Sequence, residues 1–403
     1  MSPRWRVLAL MTTAQAGASV VQQALGALSP HLVETFVLTK AQLGVVFTAM
    51  FVGAASCTAI SGALTDRWGE RVMVLAAGSV MTVALVLAPL IPQYPWLVAT
   101  MVLFGAGYAA STPAGGRAIL AWFDRDRGFA MGIRQTGVPL GGLLGALSLP
   151  AVASVAGLRG AFFFAAVLVA VPSAIAYVNY PETRDARAPA ATGASVVRGM
   201  RVLIRDPRLL AVTLTCMVLV AAQLAMNAFV TITAVAVVGT SVQVAALAFA
   251  SAHAAATVAR LGWGYVSDRL LGGERLIPLA VICMVAALAM GGLALLGRGD
   301  VVPLFVASAL LGCSGAGWNG LFATALAEVG GTERAASALG LGLTAIFAAS
   351  AVAPTAFGAL ADAASMRVAW SATAALALAG VVPVLWLRIR LVAELRRSVP
   401  GGG

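Results

Sequence analysis

The sequence has little charge. Charged residues make up only 10% of its 403 residues and hydrophobic residues 61%, whereas an average soluble domain is about 25% charged. A soluble protein this apolar could not cover its surface with polar groups. A helix of about 20 predominantly apolar residues crosses the ~30 Å hydrocarbon core of a bilayer. Because the alternating pattern of a transmembrane barrel is absent, we predict a helical protein that crosses a membrane many times.

Groups that bind metals or catalyse reactions are also scarce. The four cysteines lie inside apolar segments and share no metal-ligand spacing: Cys57, Cys216, Cys283 and Cys313. The sequence has no nucleophile–base set, metal cluster or phosphate-binding loop, so we expect no enzymatic activity, metal or cofactor. The net charge of +11 comes from short basic clusters between apolar segments. These clusters lack interleaved aromatic residues and do not indicate a nucleic-acid partner.

Long polar segments are nearly absent, and short ones divide the chain into twelve apolar spans. The first six are predicted at residues 7–33, 42–64, 72–92, 97–122, 130–154 and 161–180, and the second six at 208–236, 242–266, 276–296, 301–327, 335–361 and 367–387. One long polar connection, 182–206, separates an N-terminal six-helix bundle (1–181) from a C-terminal one (207–393), and a tail (394–403) follows. We therefore predict an all-α integral membrane protein with two pseudo-symmetric bundles.

The basic residues predict the orientation, because loops rich in Lys and Arg stay in the cytoplasm. With both termini in the cytoplasm, 19 of the 26 basic residues face the cytoplasm, four face the outside and three lie within spans. The turns after spans 2 and 8 then lie on the cytoplasmic side. We expect a multi-pass protein of the cell membrane, surrounded by the lipid bilayer, that functions as a monomer.

A charged turn occurs twice, at half the chain length. Residues 62–71 read GALTDRWGER and residues 264–275 read GYVSDRLLGGER, with their aspartates 202 positions apart. Both halves begin on the same side of the membrane. The repeat is therefore parallel, with its axis along the membrane normal.

These turns resemble the major facilitator superfamily of secondary transporters, in which the loop between helices 2 and 3 reads roughly G-x-L-x-D-R-x-G-R-[RK]. Glu70 replaces the first basic residue of that pattern. The resemblance implies that the turns are gates, ion-pair clusters that hold the outward-facing state closed on its cytoplasmic side. Charges that only mark topology and cap helix ends are the alternative. The candidate gating residues are Gly62, Asp66, Arg67, Gly69 and Arg71 in the first turn and Gly264, Asp268, Arg269 and Arg275 in the second.

A glycine- and proline-rich stretch in span 5 is similar to a second signature of that family. Proton-coupled exporters carry roughly G-P-x-x-G-G in helix 5. This chain has Gly137, Pro139, Gly141 and Gly142, with the proline one residue out of register. The stretch is typical of an exporter or, alternatively, of close helix packing through small residues.

Charged residues within the spans indicate the chemical class of the substrate, because a charge in lipid is energetically unfavourable and usually has a function. Arg117, Arg134 and Arg260 lie within spans, whereas no Asp or Glu lies deep in any span. A cavity with cationic and no acidic groups fits an anion rather than a cationic drug. Arg117 and Arg134 are candidate substrate ligands at shallow depth, from which long side chains can extend to the cytoplasmic interface.

Arg260 is the main candidate for substrate binding. It lies eight residues before Asp268, about 12 Å into the membrane at ~1.5 Å per residue. The pattern R-x-x-x-G-x-x-x-D, which includes Gly264, is similar to that of bacterial oxalate/formate and monocarboxylate transporters. That resemblance implies that Arg260 binds the substrate carboxylate. A structural or gating arginine is the alternative.

Uncharged polar residues complete the candidate site. In the family that the turns resemble, helices 1, 4, 7 and 10 line a central cavity, so polar residues of those spans are candidates for substrate contact. Interhelical hydrogen bonds are the alternative. His253 titrates near neutral pH in the interior of the spans and is a candidate for substrate contact and proton coupling, or else a structural histidine. The uncharged candidates are Gln22, Tyr108, Gln223, Asn227 and Asn319.

The sequence thus predicts a secondary active transporter that moves a small organic anion, a monocarboxylate, by alternating access. The proton is a candidate coupling ion. The alternative is a proton-coupled exporter of drugs or metabolites with the same fold, which the missing carboxylate deep in the spans disfavours.

Overall fold

The computed structural model describes residues 2–123, 127–181 and 206–398. They fall into a first half, before residue 182, and a second half, from Asp206 onward. The predicted central loop (182–206) lies outside the described residues except for Asp206. The last part of the predicted tail, 399–403, lies outside them as well.

All of the described secondary structure is helical. The first half contains α1 (Pro3–Ala24), a 3-10 turn (Leu25–Leu28), α2 (Ser29–Phe36), α3 (Lys40–Leu87), α4 (Tyr94–Trp122) and α5 (Arg127–Asn179). The second half contains α6 (Pro207–Thr233), α7 (Val242–Tyr265), α8 (Leu276–Leu295), α9 (Val301–Gly315), α10 (Asn319–Ser350), α11 (Ala353–Ala363), α12 (Met366–Ala379) and α13 (Val381–Ser398). Short π-helical turns follow α6 and α7, at Ala234–Val238 and Val266–Leu270.

Within the described ranges, ten helical segments are long and apolar enough to cross a membrane. Helices suit this environment because they satisfy their own backbone hydrogen bonds without water. The prediction of an all-helical, multi-pass membrane protein is therefore confirmed, while the number of twelve spans stays a prediction.

Two predicted turns are single glycine kinks inside long helical runs. Gly69 has φ 78° and ψ 163° within α3, and Gly157 has φ 67° and ψ 178° within α5. A positive φ is unfavourable for residues that carry a Cβ, so glycine permits the break. Each of these two runs therefore contains two helical segments.

Predicted spans 10 and 11 differ from the structure. Span 10 (301–327) is broken at residues 316–318, where α9 ends and α10 begins, and α10 continues to Ser350 through the predicted turn after residue 327. The break follows a glycine-rich stretch that brings α9 close to α7. A Cβ at Gly312 would lie 1.9 Å from the carbonyl oxygen of Ala252. Such a break frees backbone carbonyls, which then need new donors.

The two halves meet near one end of α3. This helix packs against α11, and α5 packs against α7. Thr48 Oγ1 and Thr355 Oγ1 lie 2.9 Å apart, and Ser29 Oγ donates to the carbonyl of Ala228 at 3.2 Å. We call this the Lys40 end, after the first residue of α3. The charged turns lie at the opposite end, the Asp66 end, since 26 residues of helix span about 39 Å.

Candidate functional site

At the Lys40 end, the carboxylate of Asp362 accepts hydrogen bonds from the first turn of α3. Its Oδ1 accepts hydrogen bonds from the main-chain N–H of Lys40 at 3.1 Å and from Lys40 Nζ at 3.2 Å. Its Oδ2 accepts from the main-chain N–H of Ala41 at 2.7 Å. A carboxylate at a helix N-terminus is stabilised by free N–H groups and by the helix dipole. Asp362, in the second half, therefore caps a helix of the first half.

At the Asp66 end, the first charged turn forms an ion-pair cluster with Arg117 of α4. Arg117 Nη1 lies 3.2 Å from Asp66 Oδ1, and Nε lies 3.2 Å from Glu70 Oε2. The hydroxyl of Tyr180 donates to Glu70 Oε1 at 2.6 Å. Burial and this hydrogen bond to Glu70 raise the pKa of Tyr180 above its usual range, so its hydroxyl remains a donor. The structure thus places Arg117 with the candidate gating residues.

The second charged turn forms its own cluster around Arg275. Nη1 of Arg275 donates to the carboxylate of Asp268 and, at 2.7 Å, to Ser267 Oγ. Nε lies 3.2 Å from Oε1 of Glu328, which belongs to α10. Among the described residues, the ion pairs of both charged turns stay within one half of the chain.

The other candidate gating residues surround these clusters. Arg71 Nε donates to the carbonyl of Tyr177 at 2.7 Å, and its guanidinium lies 4.7 Å from the centre of the Tyr177 ring. Gly69 provides the kink of the first turn. Two of the remaining candidates are exposed, Arg67 and Arg269. At the other two, Gly62 and Gly264, a Cβ would meet no other atom within 4 Å.

Arg260 lies between the halves, on α7. Its Nε donates to the carbonyl of Ala316, in the break between α9 and α10, at 3.1 Å. Its Nη1 donates to the carbonyl of Gln135, on α5 of the first half, at 3.1 Å. Asn319 Nδ2 donates to the same Ala316 carbonyl at 3.3 Å. Arg260 and Asn319, two predicted site residues, are therefore brought together by the helix break.

Arg134 differs from its sequence interpretation, because its side chain does not extend to an interface with water. It is 2% exposed, and its Nη2 donates to Gln15 Oε1 at 2.6 Å and to the Ser111 carbonyl at 2.9 Å. A cavity of about 10 Å³ beside it is also lined by Val74 and Ser173, so the guanidinium lies inside the first half. Hydrogen bonds to Gln15 on α1 and Ser111 on α4 compensate for the burial of this charged group.

His253 is buried where α7 meets the first half. Its ring lies 4.7 Å from that of Phe249 in an edge-to-face arrangement, and it lies beside the main chain of Gln23. A Cβ at Gly142 of α5 would lie 2.5 Å from His253 Nδ1. Its Nε2 has no hydrogen-bond partner within the described part of the protein.

The remaining uncharged candidates separate into different places. Gln22 and Tyr108 line one pocket between the halves, and Gln22 Oε1 has no hydrogen-bond partner among the described residues. Asn227 Nδ2 donates to Gln23 Oε1 at 2.6 Å, so Asn227 belongs to the contacts that join the halves. Gln223 is buried on α6.

Sequence reasoning missed three residues of these clusters: Gln15, Glu70 and Asp362. Glu70 carried a signal, since an acidic residue stands where the family pattern has a basic one. Gln15 is a polar residue of span 1, which indicates a role in the interior, but its partner Arg134 lies 119 positions away along the chain. Asp362 gave no indication, because its partners lie more than 320 positions away.

Comparisons with known proteins agree with this architecture. Residues 11–354 match the family model of the Major Facilitator Superfamily. An uncharacterised MFS-type transporter of Mycobacterium tuberculosis is 32% identical over 348 residues, which cover 84% of this chain and 75% of that protein. The probable sulfoacetate transporter SauU of Cupriavidus necator is 30% identical over 135 residues, 33% of this chain and 31% of its own. The hexuronate transporter of Bacillus subtilis is 26% identical over 136 residues, 34% of this chain and 32% of its own.

The fold is similar to that of a solved transporter. A bacterial homologue of the human lysosomal transporter Spinster, in an inward-facing and occupied conformation, has a TM-score of 0.76 at 15% identity over 96% of both chains. At this identity the likeness shows the fold alone. With the family match and the ten apolar helices, the conclusion is that this chain belongs to the Major Facilitator Superfamily and is a multi-pass membrane transporter, not an enzyme.

Proposed function

We propose that this transporter moves a small organic anion, a monocarboxylate, across the cell membrane by alternating access. In this proposal the halves are two six-helix bundles, 1–181 and 207–393, with twelve spans in all and both termini in the cytoplasm. Arg260 binds the carboxylate of the substrate.

The environment of Arg260 carries the proposal. A guanidinium stays protonated at physiological pH, and the partners of Arg260 are the neutral carbonyls of Ala316 and Gln135. No carboxylate of the described residues lies within 4.0 Å of it. All 15 acidic residues of the sequence lie outside the predicted spans. A charge in the interior of a membrane protein is unfavourable without a counter-charge, so an anionic ligand stabilises this site.

Arg260 also joins the two halves. It belongs to the second half, whereas its partner Gln135 belongs to the first. Hydrogen bonds between a guanidinium and a carboxylate are roughly twice as strong as those between neutral groups. A bound carboxylate therefore competes with the Gln135 carbonyl for Arg260. Loss of that link removes one of the contacts that join the halves.

The distribution of basic residues supports a cytoplasmic Asp66 end. In that orientation, the contact between Asp362 and Lys40 holds the outer ends of the two halves together. The ion pairs of the charged turns, among the described residues, do not join the halves at the cytoplasmic end. Transport in this proposal exchanges the contacts at the Lys40 end for contacts between the charged turns.

The proposal includes the proton as the coupling ion, with His253 as its carrier. His253 is buried, its Nε2 has no partner among the described residues, and it lies two helical turns before Arg260 on α7. An anion bound at Arg260 brings a negative charge near His253, and anion and proton then bind together as in a symporter.

Two relatives support an anionic substrate. Sulfoacetate and hexuronate, for which they are named, both carry a carboxylate. Each match covers only about a third of this chain, and it supports the class of substrate rather than its identity. The resemblance of Arg260, Gly264 and Asp268 to the oxalate/formate and monocarboxylate branch stays a prediction.

Close packing accounts for the glycine-rich stretch of span 5, which is the sequence feature that favours an exporter. A Cβ at Gly141 would lie 2.2 Å from the carbonyl oxygen of Ala16, and one at Gly142 would meet the ring of His253. These glycines allow α5 to contact α1 and α7. We therefore keep anion transport as the proposed function.

Uptake of labelled carboxylates into proteoliposomes tests the proposal. Arg260→Ala and Arg260→Lys should both lower uptake by at least about tenfold, because lysine keeps the charge but not the fork of donors that binds a carboxylate. Arg298→Ala, an exposed arginine between α8 and α9, is the matched control and should transport normally. Uptake by Arg260→Ala at the wild-type rate would contradict the proposal.

A further inference from the structure

The cavity of about 10 Å³ beside Arg134 lies in the interior of the first half. Its lining comes from α1, α3, α4 and α5, so it marks the place where these helices meet. The polar residues of the lining are Gln15, Ser111, Arg134 and Ser173, and the others are glycine, alanine, valine and methionine. A cavity of this size has room for about one water molecule.

The charge of Arg134 has only neutral partners. The side chain is 2% exposed, and a guanidinium keeps its charge at physiological pH. Besides its bonds to the Gln15 side chain and the Ser111 carbonyl, its Nη1 lies 4.0 Å from Met131 Sδ. No carboxylate of the described residues lies within 4.0 Å of it. A buried charge without a counter-charge is unfavourable in the interior of a membrane protein.

One donor of Arg134 is also unused. Its Nε is buried and has no hydrogen-bond partner within the described part of the chain. Gly115 lines the same cavity, and a Cβ on it would lie 2.2 Å from this Nε. Glycine at this position therefore leaves space next to the donor. A buried N–H without an acceptor costs free energy, so an acceptor in the cavity stabilises the site.

The other polar side chains of the lining already bind within the protein. Ser111 Oγ donates to Gln15 Oε1 at 3.2 Å, and Gln15 Nε2 donates to Ser19 Oγ at 3.1 Å. Ser173 Oγ donates to the carbonyl of Val169 at 2.8 Å. Of the polar groups around the cavity, the Arg134 guanidinium is therefore the one that remains for a ligand.

We propose that this cavity binds a monatomic anion, a halide ion, through Nε of Arg134. A water molecule would accept the same hydrogen bond, but only an anion also neutralises the guanidinium. Hydrogen bonds between charged groups are roughly twice as strong as neutral ones. Carboxylates and other polyatomic anions are larger than the cavity. The site is separate from the substrate site proposed at Arg260, which does not line this cavity.

The position of the site gives the ion a role in the first half. An ion in the cavity contacts residues of α1, α3, α4 and α5 and stabilises their packing around Arg134. The next residue on α5, Gln135, supplies the carbonyl that Arg260 of the second half binds. The halide is therefore a resident ion that fixes the turn of α5 at which the halves are linked.

Equilibrium binding of radiolabelled chloride to the purified full-length transporter tests the site. We expect saturable binding of one ion per chain, because the cavity has room for one. Bromide should displace the chloride, whereas acetate and gluconate should not, because carboxylates do not fit. Gluconate replaces chloride at constant ionic strength, so that screening by salt does not change between samples.

Two substitutions test the charge and the space separately. Arg134→Gln removes the charge and should weaken chloride binding by at least about tenfold. Ala77→Val leaves Arg134 in place but adds two methyl groups to the lining, and it should weaken binding by a similar factor. Ala372→Val, the same change at an exposed position of α12, is the matched control and should bind chloride like the wild type.

Arg260→Ala separates this site from the substrate site and should bind chloride with the wild-type affinity. Displacement of chloride by acetate, with loss of chloride binding in Arg260→Ala, would place the ion at the substrate site and overturn the inference. No chloride binding by the wild-type protein, or wild-type affinity in Ala77→Val, would overturn it as well. Should Arg134→Gln fail to fold, Ala77→Val and Arg260→Ala decide. Carboxylate uptake tests the proposed anion transport independently of these results.

Discussion

The two charged turns form similar ion-pair clusters, but the central cation comes from a different element in each. In the first copy, the turn supplies the carboxylates and α4 supplies the cation, Arg117. In the second copy, the turn supplies the cation, Arg275, and α10 supplies a carboxylate, Glu328. Glu70, which departs from the family pattern, adds a second carboxylate to the first cluster. Both clusters therefore contain the aspartate of their turn, Asp66 or Asp268, and they differ in the source of the cation.

The two clusters also differ in burial. The side chain of Glu70 is 5% exposed and that of Asp66 is 52% exposed, whereas those of Asp268 and Glu328 are 59% and 51% exposed. Removing one partner of a buried ion pair costs about 3–5 kcal/mol, but exposed pairs contribute at most ~1 kcal/mol. The first cluster therefore stabilises its half, while the second can form and separate at little cost.

The largest expected effect comes from removing the central cation of each cluster. Arg117→Ala should lower the free energy of unfolding by about 3 kcal/mol, because it removes the Arg117 guanidinium from the buried Glu70 carboxylate. Arg275→Ala should lower it by no more than about 1 kcal/mol, because its carboxylates are solvated. Thermal unfolding of both variants in detergent measures the difference. Equal losses would show that burial does not distinguish the clusters.

The contrast extends to the opposite end of the molecule. At the Asp66 end, the described ion pairs stay within one half. At the Lys40 end, the Asp362 carboxylate binds across the halves to the N-terminus of α3. Among the described residues, the ion pair that joins the two halves therefore lies at the Lys40 end.

A smaller effect is expected from removing that link. Asp362→Ala should destabilise the closed Lys40 end by about 1–2 kcal/mol, the usual contribution of a helix cap with a favourable charge. This changes the population about 5–30-fold. In a cysteine-free protein carrying Thr48→Cys, a membrane-impermeant thiol reagent added from outside should react faster by that factor.

Asp300→Ala is the control for this experiment. Asp300 accepts a hydrogen bond from the main-chain N–H of Gly297 at 2.8 Å, within one half, so its removal should leave the labelling rate unchanged. An unchanged rate in Asp362→Ala would mean that Asp362 does not hold this end closed.

Composition and charge pattern were sufficient to predict the fold. Apolar spans separated by basic turns specify a multi-pass helical protein because the bilayer permits few alternatives. The repeated turn identified the superfamily. The break at residues 316–318 was missed, although glycines at 312, 315 and 317 are a local signal of an interrupted helix.

Side-chain partners in space were harder to predict. The shallow depth predicted for Arg134 comes from its position seven residues after Arg127 along the chain, which ignores Gln15 on α1 and Ser111 on α4. Arg117 was a candidate for substrate contact from its place in a span, and in the structure it binds Asp66 and Glu70, about 50 positions away. Partners from other helices, rather than sequence position, decide which arginine is open to a ligand.

The claim that Arg260 binds a carboxylate is tested most directly by ligand-dependent thermal stability. At about 100 times its dissociation constant, acetate should stabilise the wild-type protein and Arg298→Ala by about 2.7 kcal/mol, seen as a higher Tm. We predict no rise in Tm for Arg260→Ala under the same conditions. An equal rise in Arg260→Ala would contradict the account.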